Sequence, residues 1–335
     1  MLRIFYKTSY DFIKWWRWSA GLTLAFMLAG GLSFLLTGGV NYSIEFTGGT
    51  LLQLEFKEPP NVAELRRTLE EGGIEGAEIT QFGSPTEYTV RARERQHLAE
   101  QSSAAGGVAN DVERVLRAKY GPEGFRVARV EAVGPKVGSE LARGAIVAMM
   151  LAAVVTLVYL AIRFEWRFGL AAVLSTLHDV LVTLSFIKLM NLEVSLTIVA
   201  AILTLLGYSG NDTIIIFDRV RENLRKARKE PLYDVLNRSI NETLPRSVLT
   251  HATTLSATLA LLIFAGEVLR PFAWVMTFGV FVATFSSIYV ASPLLLYIEH
   301  RFPRESARSS SAGKEAPSAG GQQKERQLAE KTAVR

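Results

Sequence analysis

Six long apolar stretches constrain this chain before anything else does: Ser19 to Leu36, Gly144 to Ile162, Phe168 to Leu189, Val194 to Phe217, Val248 to Ala265 and Phe272 to Ile298. A bilayer-spanning helix needs about 20 mostly apolar residues, and each stretch meets or approaches that length. Backbone groups inside hydrocarbon are satisfied only in helices or closed barrels, so the pattern predicts six membrane-crossing helices. Composition agrees: 49% of the 335 residues are hydrophobic and 21% charged. From Gly144 to Ile298 the charges gather in short clusters between apolar runs. The first stretch follows Arg3, Lys7, Lys14 and Arg17, as a secretory signal would. Its apolar core exceeds the roughly 7–15 residues of such a signal, and further spans follow, so it is read as an uncleaved helix.

Lys and Arg in short loops set orientation. Four precede the first span, two lie in Arg163 to Arg167, seven in Asp218 to Pro245 and eight after His300. The connections on the other side carry only Lys188 and Arg270. Both termini are therefore expected in the cytoplasm of a multi-pass inner-membrane protein. Residues 1–18 form an interfacial segment, 19–36 the first helix, and 144–298 the remaining five helices with a basic cytoplasmic loop at 218–245. Residues 299–335 form a tail whose Ser, Ala, Gly, Gln and Lys content predicts disorder. The same asymmetry, with attraction to anionic headgroups, accounts for the net charge of +5 and the pI near 9.4, so no nucleic-acid partner is expected. Trp15, Trp16 and Trp18 form an aromatic belt, and Tyr10 to Trp18 is expected along the membrane surface.

Residues 37–143, between the first and second spans, have a soluble composition. Asn41 to Phe56 is rich in strand formers, with Gly48 and Gly49 predicting a bend or bulge. Pro60 to Glu71 places Val62, Leu65 and Leu69 at helical spacing, with Asn61 as cap. Ala77 to Phe82 and Glu87 to Ala92 read as strands, Gly107 to Tyr120 as an amphipathic helix and Phe125 to Val133 as a strand. The order β-α-β-β-α-β predicts one α+β ferredoxin-like extracytoplasmic domain with two helices on one face of an antiparallel sheet. No catalytic constellation occurs there; its histidine, His97, stands in a polar loop. The absence of cysteine excludes a disulfide framework, Cys-ligated metal and a thiol nucleophile. Neither a Walker G-x-x-x-x-G-K-[ST] nor an H-E-x-x-H pattern occurs. No metal, cofactor or enzymatic role is expected.

A charge near the bilayer centre costs about 2.5–3.5 kcal/mol on insertion scales, so such residues mark function by default. In the fourth span, the run Leu206-Gly-Tyr-Ser-Gly-Asn-Asp-Thr213 interrupts a greasy helix, and Asp212 lies about 9 Å inside Asp218 at 1.5 Å per residue. In the fifth, Pro245 suits a first helical turn with Asn241 and Thr243 as caps, and Arg246 reaches inward. A charge pair between Asp212 and Arg246 is expected, with Asp212 as proton carrier. Gly207 and Gly210 would let a neighbouring helix pack close and slide. In the third span, His178 and Asp179 lie near the midplane. With His251 and Asn211 they are candidates for a secondary relay, against the alternative of packing residues.

Taken together, Leu206-Gly-Tyr-Ser-Gly-Asn-Asp-Thr-Ile-Ile-Ile-Phe-Asp-Arg-Val-Arg-Glu-Asn223 resembles the fourth-span signature of the SecF family of protein-export membrane proteins. Ser239-Ile-Asn-Glu-Thr-Leu-Pro-Arg-Ser247, followed by Thr253-Thr254-Leu255, is similar to that family's entry into the fifth span. Glu45-Phe-Thr-Gly-Gly-Thr50 is similar to its motif after the first span, with Glu45 where the family has Asp, and Gly48 and Gly49 as the glycine pair. The resemblance covers about residues 10–300. It implies a six-helix half-transporter of the resistance-nodulation-division superfamily that pairs with SecD and associates with the SecYEG translocon. It implies use of proton-motive force to complete movement of a translocating preprotein after SecA has acted, with a YidC-type insertase as a further candidate partner. The family's membrane aspartate maps onto Asp212 and its fifth-span arginine onto Arg246. The alternatives are a structural assembly factor of the translocon that moves no protons, and a proton-driven exporter of small molecules or lipids.

Overall fold

The computed structural model describes residues 8–92, 107–227, 230–266 and 268–303; His97 and the tail from 304 on lie outside them. A 3-10 turn at Ile13–Trp15 runs into α1 (Trp16–Leu36), and a one-turn helix α2 (Ile44–Thr47) leads into the sheet domain. That domain comprises β1 (Gly49–Phe56), α3 (Val62–Glu71), β2 (Glu78–Gln81), β3 (Glu87–Ala92), α4 (Gly107–Tyr120) and β4 (Phe125–Val133). Then come α5 (Pro135–Arg163), α6 (Trp166–Leu189), α7 (Leu196–Lys226) and α8 (Leu232–Phe264). The last span is α9 (Arg270–Ser286), a π turn at Ser287–Ala291, and α10 (Ser292–Arg301). Among the described residues, six helical segments are long and apolar enough to cross a membrane.

The sheet runs β2-β3-β1-β4 with every pairing antiparallel, the predicted ferredoxin-like arrangement. Alternation places Leu52, Leu54 and Phe56 of β1 on the buried face, opposite Leu65 and Leu69 of α3 and Val112 and Leu116 of α4. Each such fully buried side chain contributes about 1.5–3 kcal/mol. Asn61 caps α3 by accepting from the amides of Ala63 and Glu64.

Asn41 to Phe56 is not one strand. Ile44–Thr47 turns helically, Gly48 ends the turn at φ +73°, and β1 starts at Gly49. The bulge falls later, between Gln53 and Leu54 against β4. The segment before β1 is strapped across the bundle. Val194 N donates to Asn41 O (2.7 Å), and Ser43 N to Val194 O (2.9 Å). Arg91 of β3 donates to Tyr42 O (3.1 Å) and pairs with Glu193 in the α6–α7 connection. Burial pushes the Glu193 carboxyl up, and Arg91 pulls it back.

The helices are longer than the apolar runs, because hydropathy marks only the stretch suited to hydrocarbon. The α5 helix begins at Pro135, well before Gly144. The α8 helix begins at Leu232, so Pro245 sits inside it. Asn241 and Thr243 are accordingly not caps. Asn241 holds the main chain of Tyr10, accepting from its N–H (2.9 Å) and donating to its carbonyl (2.8 Å). Asn237, one turn earlier, accepts from Phe12 and Ile13 N–H. Thr243 donates to Ser239 O. The segment before α1 thus rests on α8, although Trp15, Trp16 and Trp18 remain exposed. The Tyr233 hydroxyl, donating to Asp11 at 2.6 Å, holds that carboxyl below its usual range.

Gly48 sets two obstacles before a side chain: its positive φ, and an added Cβ that would lie 3.0 Å from Pro135 Cα at the start of α5. Gly48→Ala should therefore cost about 1–3 kcal/mol, read as a lower midpoint of unfolding in detergent by circular dichroism; an unchanged midpoint would contradict the strap geometry.

Candidate functional site

Two buried carboxyls lie in the middle of the bundle. Asp212 of α7 is 4% exposed and accepts from Ser247 of α8 at 2.5 Å and from Ser287 of the last span at 2.8 Å. Asp179 of α6 accepts from Ser209 of α7, from Ser286 of α9 at 2.6 Å, and is joined by His178 Nδ1 at 2.9 Å. Each aspartate is thus held by two serines on two neighbouring helices. The sites are linked twice: Ser209 and Asp212 lie three apart on one face of α7, and Ser286 and Ser287 are consecutive.

The π turn belongs to this arrangement. Pro293 has no N–H to give to the carbonyl four residues earlier, and the chain widens at Ser287–Ala291, with Ser292 Oγ donating to Ser287 O. Such one-turn widenings recur at functional sites. Here the widening begins at the residue that holds Asp212.

The expected pair between Asp212 and Arg246 does not form. Arg246 is exposed on the outside of the bundle, and among the described residues no ion pair joins it to Asp212. Because α8 is already helical at Leu232, Arg246 is not a first-turn residue free to swing inward; its neighbour Ser247 occupies the inward position. The ion pair that joins α7 to α8 is Arg219 with Glu242, at 2.6 Å near the far end of the bundle. Asn211 also faces outward, away from both carboxyls. Gly207 and Gly210 admit no close helix within the chain, since a Cβ at either meets nothing within 4 Å. The close approaches occur at Gly279 against Leu205 and at Gly30 against Ser185.

His251 is buried one turn beyond Ser247. Its Nδ1 lies 2.7 Å from the Ser247 carbonyl, so that nitrogen donates, and its ring meets Tyr208 edge-on at 5.5 Å. It supports the serine that holds Asp212 but does not itself touch the carboxyl. His178 touches Asp179, and its Nε2 is buried without a hydrogen-bond partner among the described residues, as is Ser175 Oγ. Glu45 lies far from the carboxyls along α7, at that helix's first turn, where it accepts from Leu196 N–H at 2.6 Å and from Ser43 Oγ at 3.2 Å. A carboxylate is favoured there by unpaired N–H groups and the helix dipole.

The chemistry follows from the partners. A hydroxyl both donates and accepts. Ser247 and Ser287 can both donate to an ionised Asp212, and one can rotate to accept from a protonated one. An arginine only donates, so it favours the ionised form and cannot accept from a protonated one. The serines were the part that sequence reasoning missed. Ser209 and Ser247 stand inside the two conspicuous motifs, but serine is ordinary in membrane helices, where it bonds its own helix. Ser286 and Ser287 had one usable signal, an adjacent polar pair six residues before a proline in an apolar run.

Comparison with known proteins agrees with this architecture. The family described as protein export membrane protein SecD/SecF, C-terminal, matches residues 112–301, and the SecD/SecF GG motif matches residues 33–60. A protein translocase subunit SecF from Gemmatimonas aurantiaca is 64% identical over 321 residues, covering 94% of this chain and 96% of its own. One from Vibrio alginolyticus is 38% identical over 311 residues, covering 91% and 97%. The crystal structure of SecDF, a translocon-associated membrane protein from Thermus thermophilus, matches with a TM-score of 0.77 at 37% identity, over 88% of this chain and 39% of that one. SecDF in a super-membrane-facing form matches at 0.64 and 38%, over 92% and 40%. The chain therefore spans nearly all of these two relatives and about two fifths of the SecDF chains.

Removing a donor from the carboxyl should be felt where removing Arg246 or Asn211 is not. Ser247→Ala and Ser287→Ala should each destabilise the isolated chain by about 1–3 kcal/mol. Arg246→Ala and Asn211→Ala, both at exposed positions, should stay within about 0.5 kcal/mol. Denaturant titration in mixed micelles distinguishes them, and the reverse ranking would contradict the site.

Proposed function

Since the chain belongs to the SecF family of protein translocase subunits, we propose that it pairs with SecD beside the SecYEG channel and uses proton-motive force to promote the late stages of preprotein translocation. The observation that carries this reading is Asp212, a carboxyl buried in mid-bundle and held by hydroxyls that suit either protonation state. In this reading the loaded carrier is neutral Asp212, with one of the two serines turned to accept from it. Release would ionise Asp212 and favour positive charge beside it, with Arg246, the residue before Ser247 on α8, as the candidate once the helix turns. One elementary charge crossing 100 mV releases about 2.3 kcal/mol, enough to bias two packings of a bundle.

Arg246 and Asn211 support pairing with a second membrane half. An arginine facing hydrocarbon is costly, and Thr204, Gly207 and Asn211 make the adjoining exposed face of α7 small and polar. Small and polar residues are what membrane helices present to one another, so this face is assigned to SecD. Asp179 with His178 is a second proton station, joined to Asp212 through Ser286–Ser287, while His251 positions Ser247. The basic residues at the end of the bundle away from the sheet domain support cytoplasmic termini in the inner membrane, with the sheet domain outside.

The test is export into vesicles carrying this chain, SecD and SecYEG under an imposed proton gradient. Asp212→Asn should insert and bind SecD as the wild type does yet lose at least about a hundredfold of the gradient-dependent stimulation, the lower end of the 10²–10⁴ range of a lost proton-transfer group. Undiminished stimulation would contradict the carrier and leave an assembly role.

A further inference from the structure

A cavity of about 550 Å³ lies at the sheet-domain end of the bundle, with α6 and the start of α7 as its floor, α1 and α5 as its sides, and Tyr42 and Phe46 at its end. The α1 helix packs on α6, and α5 packs on α6 and α7, so the space between α1 and α5 forms a groove. Its walls include Phe34, Ile146, Met149 and Leu184. Ile146 and Leu184 are 54% and 44% exposed, so the groove faces hydrocarbon. Gly31 lines it, and a Cβ there would meet nothing within 4 Å.

One charged side chain lines this apolar groove. Lys188, at the end of α6, is 8% exposed and donates to the Gly39 carbonyl. Among the described residues it takes part in no ion pair. An ammonium has three donors, and a buried cation with no counter-ion is costly. The unmet requirement at this position is an anion.

We propose that the groove holds one anionic phospholipid of the adjoining leaflet, with an acyl chain between α1 and α5 and the headgroup phosphate on Lys188. The volume lies within the roughly 300–1,000 Å³ of ordinary small-molecule sites. A polypeptide fits less well: a helix with side chains is about 10–12 Å across, and an extended segment would leave its amides unsatisfied against these walls. A lipid tail gains little on leaving hydrocarbon for an apolar groove, so selectivity falls to Lys188, which favours phosphatidylglycerol over zwitterionic phosphatidylethanolamine. The proposal stands apart from Asp212 and does not require proton coupling.

The test uses the full chain purified in mixed micelles with diazirine-tailed phosphatidylglycerol or phosphatidylethanolamine, mapping photolabelled peptides by mass spectrometry. Phosphatidylglycerol should label the α5 segment around Ile146–Met149 in preference to phosphatidylethanolamine. Lys188→Met should lower that labelling by about tenfold, the loss of one charge-assisted contact, while Lys188→Arg retains it. Gly31→Leu, which fills the groove, should abolish it. Equal labelling by the two lipids in the unaltered protein would overturn the proposal even if a variant failed to fold. So would labelling of this segment by phosphatidylglycerol that Lys188→Met leaves unchanged, or capture of a polypeptide in the groove in place of lipid.

Discussion

Everything about this bundle turns on keeping two carboxyls buried among membrane helices with, among the described residues, no lysine or arginine paired to either and only His178 beside Asp179. Ionised and unpaired, such groups would be the most costly in the chain. The bundle meets this by converging four helices, α6, α7, α8 and α9, on Asp179 and Asp212 through Ser209, Ser247, Ser286 and Ser287. The wide turn at Ser287–Ala291 follows from the same demand together with Pro293. Hydroxyls tolerate gain and loss of a proton where a fixed guanidinium would not, which suits a carrier.

The same helix that carries Asp212 ends at the sheet domain. Glu45 accepts from its first turn, and the strap from Asn41 to Ser43 pairs with Val194 just before it. Arg91 ties β3 to Tyr42 and Glu193. A displacement of α7 along its axis therefore acts on this strap, and through Gly48, wedged against Pro135, on the start of β1. Asp212 and the first turn that bonds Glu45 thus belong to one continuous helix.

Much of this was legible in the residues because it depends on period and depth. Alternation of Leu52, Leu54 and Phe56 against helical spacing of Leu65 and Leu69 determines the sheet domain. The depth of Asp212 and Asp179 in apolar runs marks them without any structure. What failed is what depends on rotation about a helix axis. Reading Pro245 as a helix start left Arg246 free to point inward; α8 in fact begins at Leu232, and that phase turns Ser247 inward and Arg246 out. The hydropathy of Arg219 and Glu242 hid that they, and not Asp212 with Arg246, make the ion pair between α7 and α8. Lys188 was legible only as a charge at a helix end bearing on orientation, since a cavity lined by several helices leaves no periodic trace in any one of them.

The central claim, that Asp212 carries a proton between its two serines, is tested most directly by infrared difference spectroscopy of the reconstituted protein with its SecD partner across pH. The account predicts a protonated-carboxyl stretch that Asp212→Asn removes and that Ser287→Ala shifts in frequency, because the hydroxyl bonds that carboxyl. A carboxyl that stays ionised at every pH, with no band lost in Asp212→Asn, would contradict it.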